Sequence, residues 1–175
     1  LAGQAKMATL PIFKYPDPIL RKKAGVVTKF GPELEELVSN MAETMYAAPG
    51  VGLAAPQVGI SKQLFIYDAA PEEEKGTPTV LINPKIIEAE GEEVGEEGCL
   101  SVREFCAPVK RAIRIVIEAV DVKGEPLTIE AEDWPARVLQ HEIDHLNGIL
   151  FIDRISSLKR GMYKRKVKKQ LKENG

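Results

Sequence analysis

Only two histidines occur in the 175-residue chain, and both fall in His141-Glu142-Ile143-Asp144-His145. Residues four apart share one face of an α-helix, with Cβ atoms about 5–6 Å from each other, so the two imidazoles can converge on a single metal ion. Glu142 then stands beside that ion, where a carboxylate can take a proton from metal-bound water and return it to a leaving group. A surface helix that happens to hold two histidines is the competing reading, and the lack of any other histidine argues against coincidence. Two ligands leave a catalytic site incomplete, because such sites generally use three protein ligands and keep one position open. Cysteine is the natural third, and the chain has two. Cys99 follows Gly98 in Glu96-Glu97-Gly98-Cys99-Leu100-Ser101, where a residue without a side chain lets backbone approach a ligand or a neighbouring strand. Cys106 lies in Phe105-Cys106-Ala107-Pro108, an apolar setting in which a buried, inert thiol is expected. Spacing favours Cys99 and leaves Cys106 open.

The histidines need a helix, and Pro135 opens one that runs through Leu146, with Asp133 as its expected cap and Asn147-Gly148 as its stop signal. Just upstream, Ile113, Ile115 and Ile117 alternate with Arg114, Val116 and Glu118, and after the turn Lys123-Gly124-Glu125-Pro126 Leu127, Ile129 and Ala131 alternate with Thr128, Glu130 and Glu132. That pattern predicts an antiparallel hairpin. Leu34, Leu37, Val38, Met41 and Met45 recur at helical spacing between Pro32 and Gly50, and strands are expected at Leu64–Tyr67 and around Thr79–Ile82. Glu88 to Glu97 holds six glutamates in ten residues, a composition that reads mostly as an exposed strand or loop. A last helix fits Ser156 or Ser157 to about Leu171. The expected fold class is α+β, with antiparallel strands around a central metal-binding helix and further helices at the N- and C-terminal ends.

A chain of this length, 44% hydrophobic and 29% charged, can bury one sizeable core. Its longest apolar runs fall far short of the roughly 18–20 residues of a membrane span, and no signal-peptide core is visible at the N-terminus, so a soluble protein without membrane attachment is expected. Two cysteines make no disulfide framework, which argues for reduced thiols and no disulfide-linked partner. Leu1 to Lys6 precede Met7 and are expected to be foreign to the native chain, followed by a catalytic domain over 7–155 and a basic tail over 156–175. The net charge of −2 conceals that tail: eight Lys and Arg lie between Lys159 and Lys172 without one Asp or Glu, and the remainder is acidic. A solvated terminal helix and an arm for a polyanion such as RNA are both consistent with it.

Three segments in series resemble the signature motifs of the peptide deformylases of bacterial type. They are Gly50-Val51-Gly52-Leu53-Ala54-Ala55-Pro56-Gln57-Val58-Gly59, Glu97-Gly98-Cys99-Leu100-Ser101 and Gln140-His141-Glu142-Ile143-Asp144-His145-Leu146, and the likeness runs from about Leu10, through Tyr15-Pro16-Asp17-Pro18-Ile19-Leu20-Arg21, to about Ile155. The resemblance implies Cys99, His141 and His145 as ligands of one Fe²⁺, with Zn²⁺, Ni²⁺ or Co²⁺ able to substitute. It implies hydrolysis of the N-formyl group from the initiator methionine of new polypeptides by attack of metal-bound water, with Glu142 moving the proton. Gln57, through its side-chain amide, and Leu100, through its backbone N–H, would donate to the oxyanion. Val51, Gly52 and Gly98 would border an extended peptide, Val138 and His141 the methionine pocket, and Glu97 would pair with Arg111 to brace the second motif. The family further implies the bacterial cytoplasm in preference to an organellar matrix, and possible docking of the basic C-terminal helix on the ribosome. Many bacterial members continue the second motif with proline and, three residues on, arginine; here Arg103 and Cys106 stand there, which alters the rim of the cleft but no metal ligand.

Two other readings compete. A metalloprotease would need a third ligand from a downstream Glu, Asp or His, whereas Cys99 fits a different scheme. A noncatalytic module that sits on RNA through its tail and keeps the metal as a relic would have no use for Glu142.

Overall fold

The computed structural model describes residues 8–174, so the expectations for Leu1–Lys6 and for a start at Met7 lie outside the described residues. Helix α1 (Pro32–Ala47) precedes strands β1 (Gly52–Ala54), β2 (Leu64–Tyr67), β3 (Thr79–Glu90), β4 (Glu93–Cys99), β5 (Val102–Arg111), β6 (Arg114–Val120) and β7 (Pro126–Glu132). Helices α2 (Asp133–Leu146) and α3 (Ser157–Asn174) complete the chain, with short 3₁₀ turns between elements. Five strands form one antiparallel sheet in the order β1-β2-β3-β6-β7, and β4 and β5 pair as a separate two-stranded sheet. The α+β class expected from the sequence is the observed one.

Alternation explains how the layers meet. In β2, Phe65 packs with Leu81, Ile115, Ile117, Ala136, Leu139 and Leu146, the core between the large sheet and α2. Its neighbours Leu64 and Ile66 point the other way, onto Leu34, Met41 and Met45 of α1. A strand buried on both faces must be apolar throughout, which is why Leu64-Phe65-Ile66-Tyr67 shows no polar alternation. Helix α2 divides its circumference in the same manner: Ala136, Leu139, Ile143 and Leu146 recur at helical spacing toward the sheet, while Arg137, His141, Asp144 and His145 occupy the side that the small sheet covers.

Several boundaries differ from those expected. Strand β3 continues past Ile82 to Glu90, because the breaker Asn83-Pro84 is absorbed as an irregularity in the β3–β6 register. The Asn83 amide there bonds both the N–H and the carbonyl of Val27. Asp133 does not cap α2; it is the first helical residue, Glu132 holds the cap position, and no side chain caps that end. The glutamate-rich segment is the end of β3 and most of β4, and it is exposed except at half-buried Gly95 and buried Glu97.

Helix α3 returns to the body through Tyr163 and Val167, which join Leu20, Val109 and Phe151 in a third core behind the small sheet. The Tyr163 ring lies 4.7 Å from that of Phe105 and 5.6 Å from that of Tyr15, centroid to centroid. Tyr163→Ala removes this anchor and is expected to cost about 3–5 kcal/mol of stability, the range for truncating a buried aromatic ring. Denaturant unfolding of the metal-loaded protein checks it.

Candidate metal centre

The tip of the β4–β5 hairpin and the polar side of α2 bring Cys99, His141 and His145 together, with one ligand atom of each within 4.8 Å of the others. Cys99 Sγ lies 3.3 Å from His145 Nε2. Ligands at about 2.1 and 2.3 Å from a tetrahedral ion would stand roughly 3.5 Å apart, so this spacing fits a shared metal. His141 Nδ1 is 2.9 Å from Glu97 Oε1, a contact that commits Nδ1–H to the carboxylate and turns Nε2 toward the cluster. Thiolate with two imidazoles suits late first-row divalent ions. Among the described residues no Glu, Asp or third His joins the group, as a metalloprotease scheme would require.

The electrostatics agree with a cation at this point. Burial opposes charge on His141, but Cys99, Glu97 and Glu142 outweigh it and hold its pKa well above the ordinary value. Burial, followed by the neighbouring His141, drives His145 well below its own, leaving the neutral imidazole that binds metals. Glu142 is pushed up to about 7, chiefly by burial. Its Oε1 is buried without a hydrogen-bond partner. The carboxylate lies against β1, where a Cβ on Gly52 would come within 2.6 Å of Oε2. Only glycine leaves room for it.

A cleft of about 460 Å³ opens over these groups and is lined by Val51, Gly52, Gln57, Glu97, Gly98, Cys99, Leu100, Val138, His141 and Glu142, all singled out in the sequence. Gln57 is buried, and its Oε1 accepts from the Ala54 N–H, which turns the amide nitrogen toward Cys99 Sγ at 3.6 Å and Ser101 Oγ at 3.1 Å. Arg111 lies outside the cleft lining and grips Glu97 from behind, Nε to Oε2 at 2.8 Å and Nη2 to Oε1 at 2.9 Å. Burial would raise the Glu97 pKa, but Arg111 and His141 together hold it down at about 2. Cys106, expected to be buried and inert, is instead exposed and lines the cleft. It faces Gly98 across the ladder, so its immediate neighbours Phe105 and Ala107 belong to the opposite side of β5. No disulfide forms among the described residues, since both cysteines are free.

Four of the residues around the site that escaped the sequence reading stand out. Ser101 donates its N–H to Cys99 Sγ at 3.4 Å, Trp134 lines the cleft, Arg137 donates to Glu97 Oε2 at 2.8 Å, and Asp144 accepts from Arg111 at 2.6 Å and from Arg154. A usable signal existed for two of them, because Arg137 and Asp144 share the helical face of the histidines.

A model of the polypeptide deformylase family matches residues 9–161. A peptide deformylase of Desulfotalea psychrophila is 54% identical over 164 residues, covering 93% of this chain and 97% of its own. The crystal structure of the Legionella pneumophila peptide deformylase superposes with a TM-score of 0.88 at 44% identity, covering 95% of this chain and 98% of that one. A class I type b peptide deformylase of Acinetobacter baumannii, crystallised with Met-Ala-Ser bound, gives a TM-score of 0.81 at 37% identity over 85% of this chain and 99% of its own. The chain therefore belongs to the polypeptide deformylase family, metal-dependent hydrolases that remove the formyl group from an N-terminal formylmethionine.

Proposed function

We propose that this cleft deformylates nascent formyl-methionyl peptides in the bacterial cytoplasm, with Cys99, His141 and His145 holding one Fe²⁺ for which Zn²⁺, Ni²⁺ or Co²⁺ can substitute. The observation that carries the assignment of roles is the buried, unpartnered Glu142 Oε1 beside the three ligand residues. When bound, the ion supplies the Lewis acidity that makes water a nucleophile near neutral pH. Glu142 receives the proton on its free oxygen and passes it to the departing amine. Gln57 Nε2, oriented by its own Oε1 contact, and the backbone N–H of Leu100 stabilise the oxyanion, a type of donor worth about 3–4 kcal/mol each.

β1 is an edge strand of the large sheet, and the β4–β5 tip carrying Gly98 lies across the cleft from it. An extended peptide fits between them as an added strand against Val51 and Gly52. Its methionine side chain enters toward Val138 and His141. The Met-Ala-Ser bound to the Acinetobacter relative is what deformylation of formyl-Met-Ala-Ser would leave, which supports this class of substrate.

The basic tail is proposed to dock on ribosomal RNA. Only Tyr163 and Val167 of α3 are buried, so its Lys and Arg side chains face outward as a cationic surface.

With formyl-Met-Ala-Ser and anaerobically iron-loaded protein, Glu142→Gln is expected to lower formate release by about 10²–10⁴-fold at unchanged metal content. Turnover equal to the parent would remove Glu142 from the proton path. For the tail, replacing Lys164, Arg165, Lys168, Lys169 and Lys172 by Gln spares Tyr163 and Val167 and is expected to abolish salt-sensitive ribosome co-sedimentation while formate release stays unchanged. Equal sedimentation of both proteins across the salt series would contradict docking.

A further inference from the structure

We propose that Arg137 is a positioning residue for the metal centre, clamping the hairpin that supplies Cys99 onto the helix that supplies His141 and His145. The inference rests on these three residues as the metal ligands. The β4–β5 hairpin shares no strand pairing with the five-stranded sheet, so no backbone ladder fixes it against α2. Side chains must do so. Arg137 stands one turn before His141 and two turns before His145 on the same side of α2, and it is 8% exposed.

Its guanidinium reaches both strands of the hairpin. Nη1 donates to Val109 O of β5 at 2.8 Å and lies 3.4 Å from Gly95 O of β4, and Nη2 donates to Glu93 O of β4 at 2.9 Å. Nη1 also meets Glu97 Oε2 at 2.8 Å, two residues before Cys99. The plane rests on the backbone of Gly95, where a Cβ would stand 3.0 Å from Cζ, Nε and Nη2. The strand is thus shaped to the arginine. Glu97 then fills its acceptor sites with His141, Arg111 and Arg137, and the buried charges of Glu97 and Asp144 are matched by those of Arg111 and Arg137. A planar fork that serves one carboxylate and three carbonyls cannot be replaced by an ammonium group. The hydrogen bonds of the Arg137 guanidinium go to Glu93, Gly95, Glu97 and Val109 and none to Cys99, His141 or His145, so its effect passes through the relative placement of hairpin and helix.

The test uses full-length protein loaded with Co²⁺, whose thiolate-to-cobalt absorption reports Cys99 directly, together with the rate at which a chelator extracts the metal. The variants are Arg137→Lys, Arg137→Gln and Gly95→Ala, the last of which keeps every charge and displaces the guanidinium. Circular dichroism of the metal-free proteins verifies the fold. Each folded variant is expected to show an altered thiolate band and to release cobalt roughly 10- to 100-fold faster than the parent, the usual scale for disturbing a partner of a metal ligand. A purely structural arginine would lower the unfolding midpoint and leave both readings as in the parent, and that result would overturn the clamp. Should Arg137→Gln fail to fold, Gly95→Ala decides on the same two readings. A parent protein without any thiolate band would overturn the ligand assignment instead.

Discussion

Glu97 puts a carboxylate almost out of reach of water, 6% exposed, between the hairpin that carries Cys99 and the helix that carries both histidines. An unpaired charge there would cost several kcal/mol, and its partners are what make it tolerable. Arg111 from the far end of β5, Arg137 from α2 and the His141 ring all converge on it. Remove any of them and the remaining charges are stranded in a low-dielectric interior. The same contacts orient His141 and draw the two supersecondary units into register. The stability of this region and the geometry of the metal site therefore depend on one group of interactions, which continues outward from Arg111 to Asp144 and Arg154.

The rest of the architecture serves that junction. Helix α2 is buried from both sides, against Phe65, Leu81 and Ile117 of the large sheet on one and against the hairpin on the other. It has little freedom to rotate, and a side chain at the same helical angle as His141 finds the same neighbour each turn. Helix α1 on the opposite face of the large sheet keeps β1 and β2 in place through Met41, Met45, Leu53 and Ile66. β1 in turn brings Gly52 close enough to Glu142 that no side chain fits between them. The Glu142 carboxylate is thus walled by the backbone of Gly52 on that side.

Much of the site is legible in the sequence. The spacing of His141 and His145 speaks through the helical repeat alone, and Gly98 beside Cys99 marks a close approach of strands. Cooperative burial of charge was not legible. Composition alone does not separate Glu97 from the solvated glutamates before it; the motif resemblance pairs it with Arg111, but its burial and its further partners follow from its position in the β4–β5 ladder, opposite Ala107 on the inner face. Arg137 and Asp144 share the helical face of the histidines, but only the second sheet laid over that face shows that they are buried and paired. Cys106 misled for the reverse reason: apolar neighbours in sequence point to the other face of a strand. The bulge at Asn83 and the helix start at Asp133 depend on tertiary contacts that local propensity does not carry.

On the proposed reading, one sulfur and two imidazole nitrogens, from Cys99, His141 and His145, hold a single ion. X-ray absorption at the metal edge of anaerobically loaded protein tests it most directly. One sulfur at about 2.3 Å, two imidazole nitrogens at about 2.0–2.1 Å and one further light atom are the predicted shell. A shell without sulfur, or with more than one, would contradict the claim.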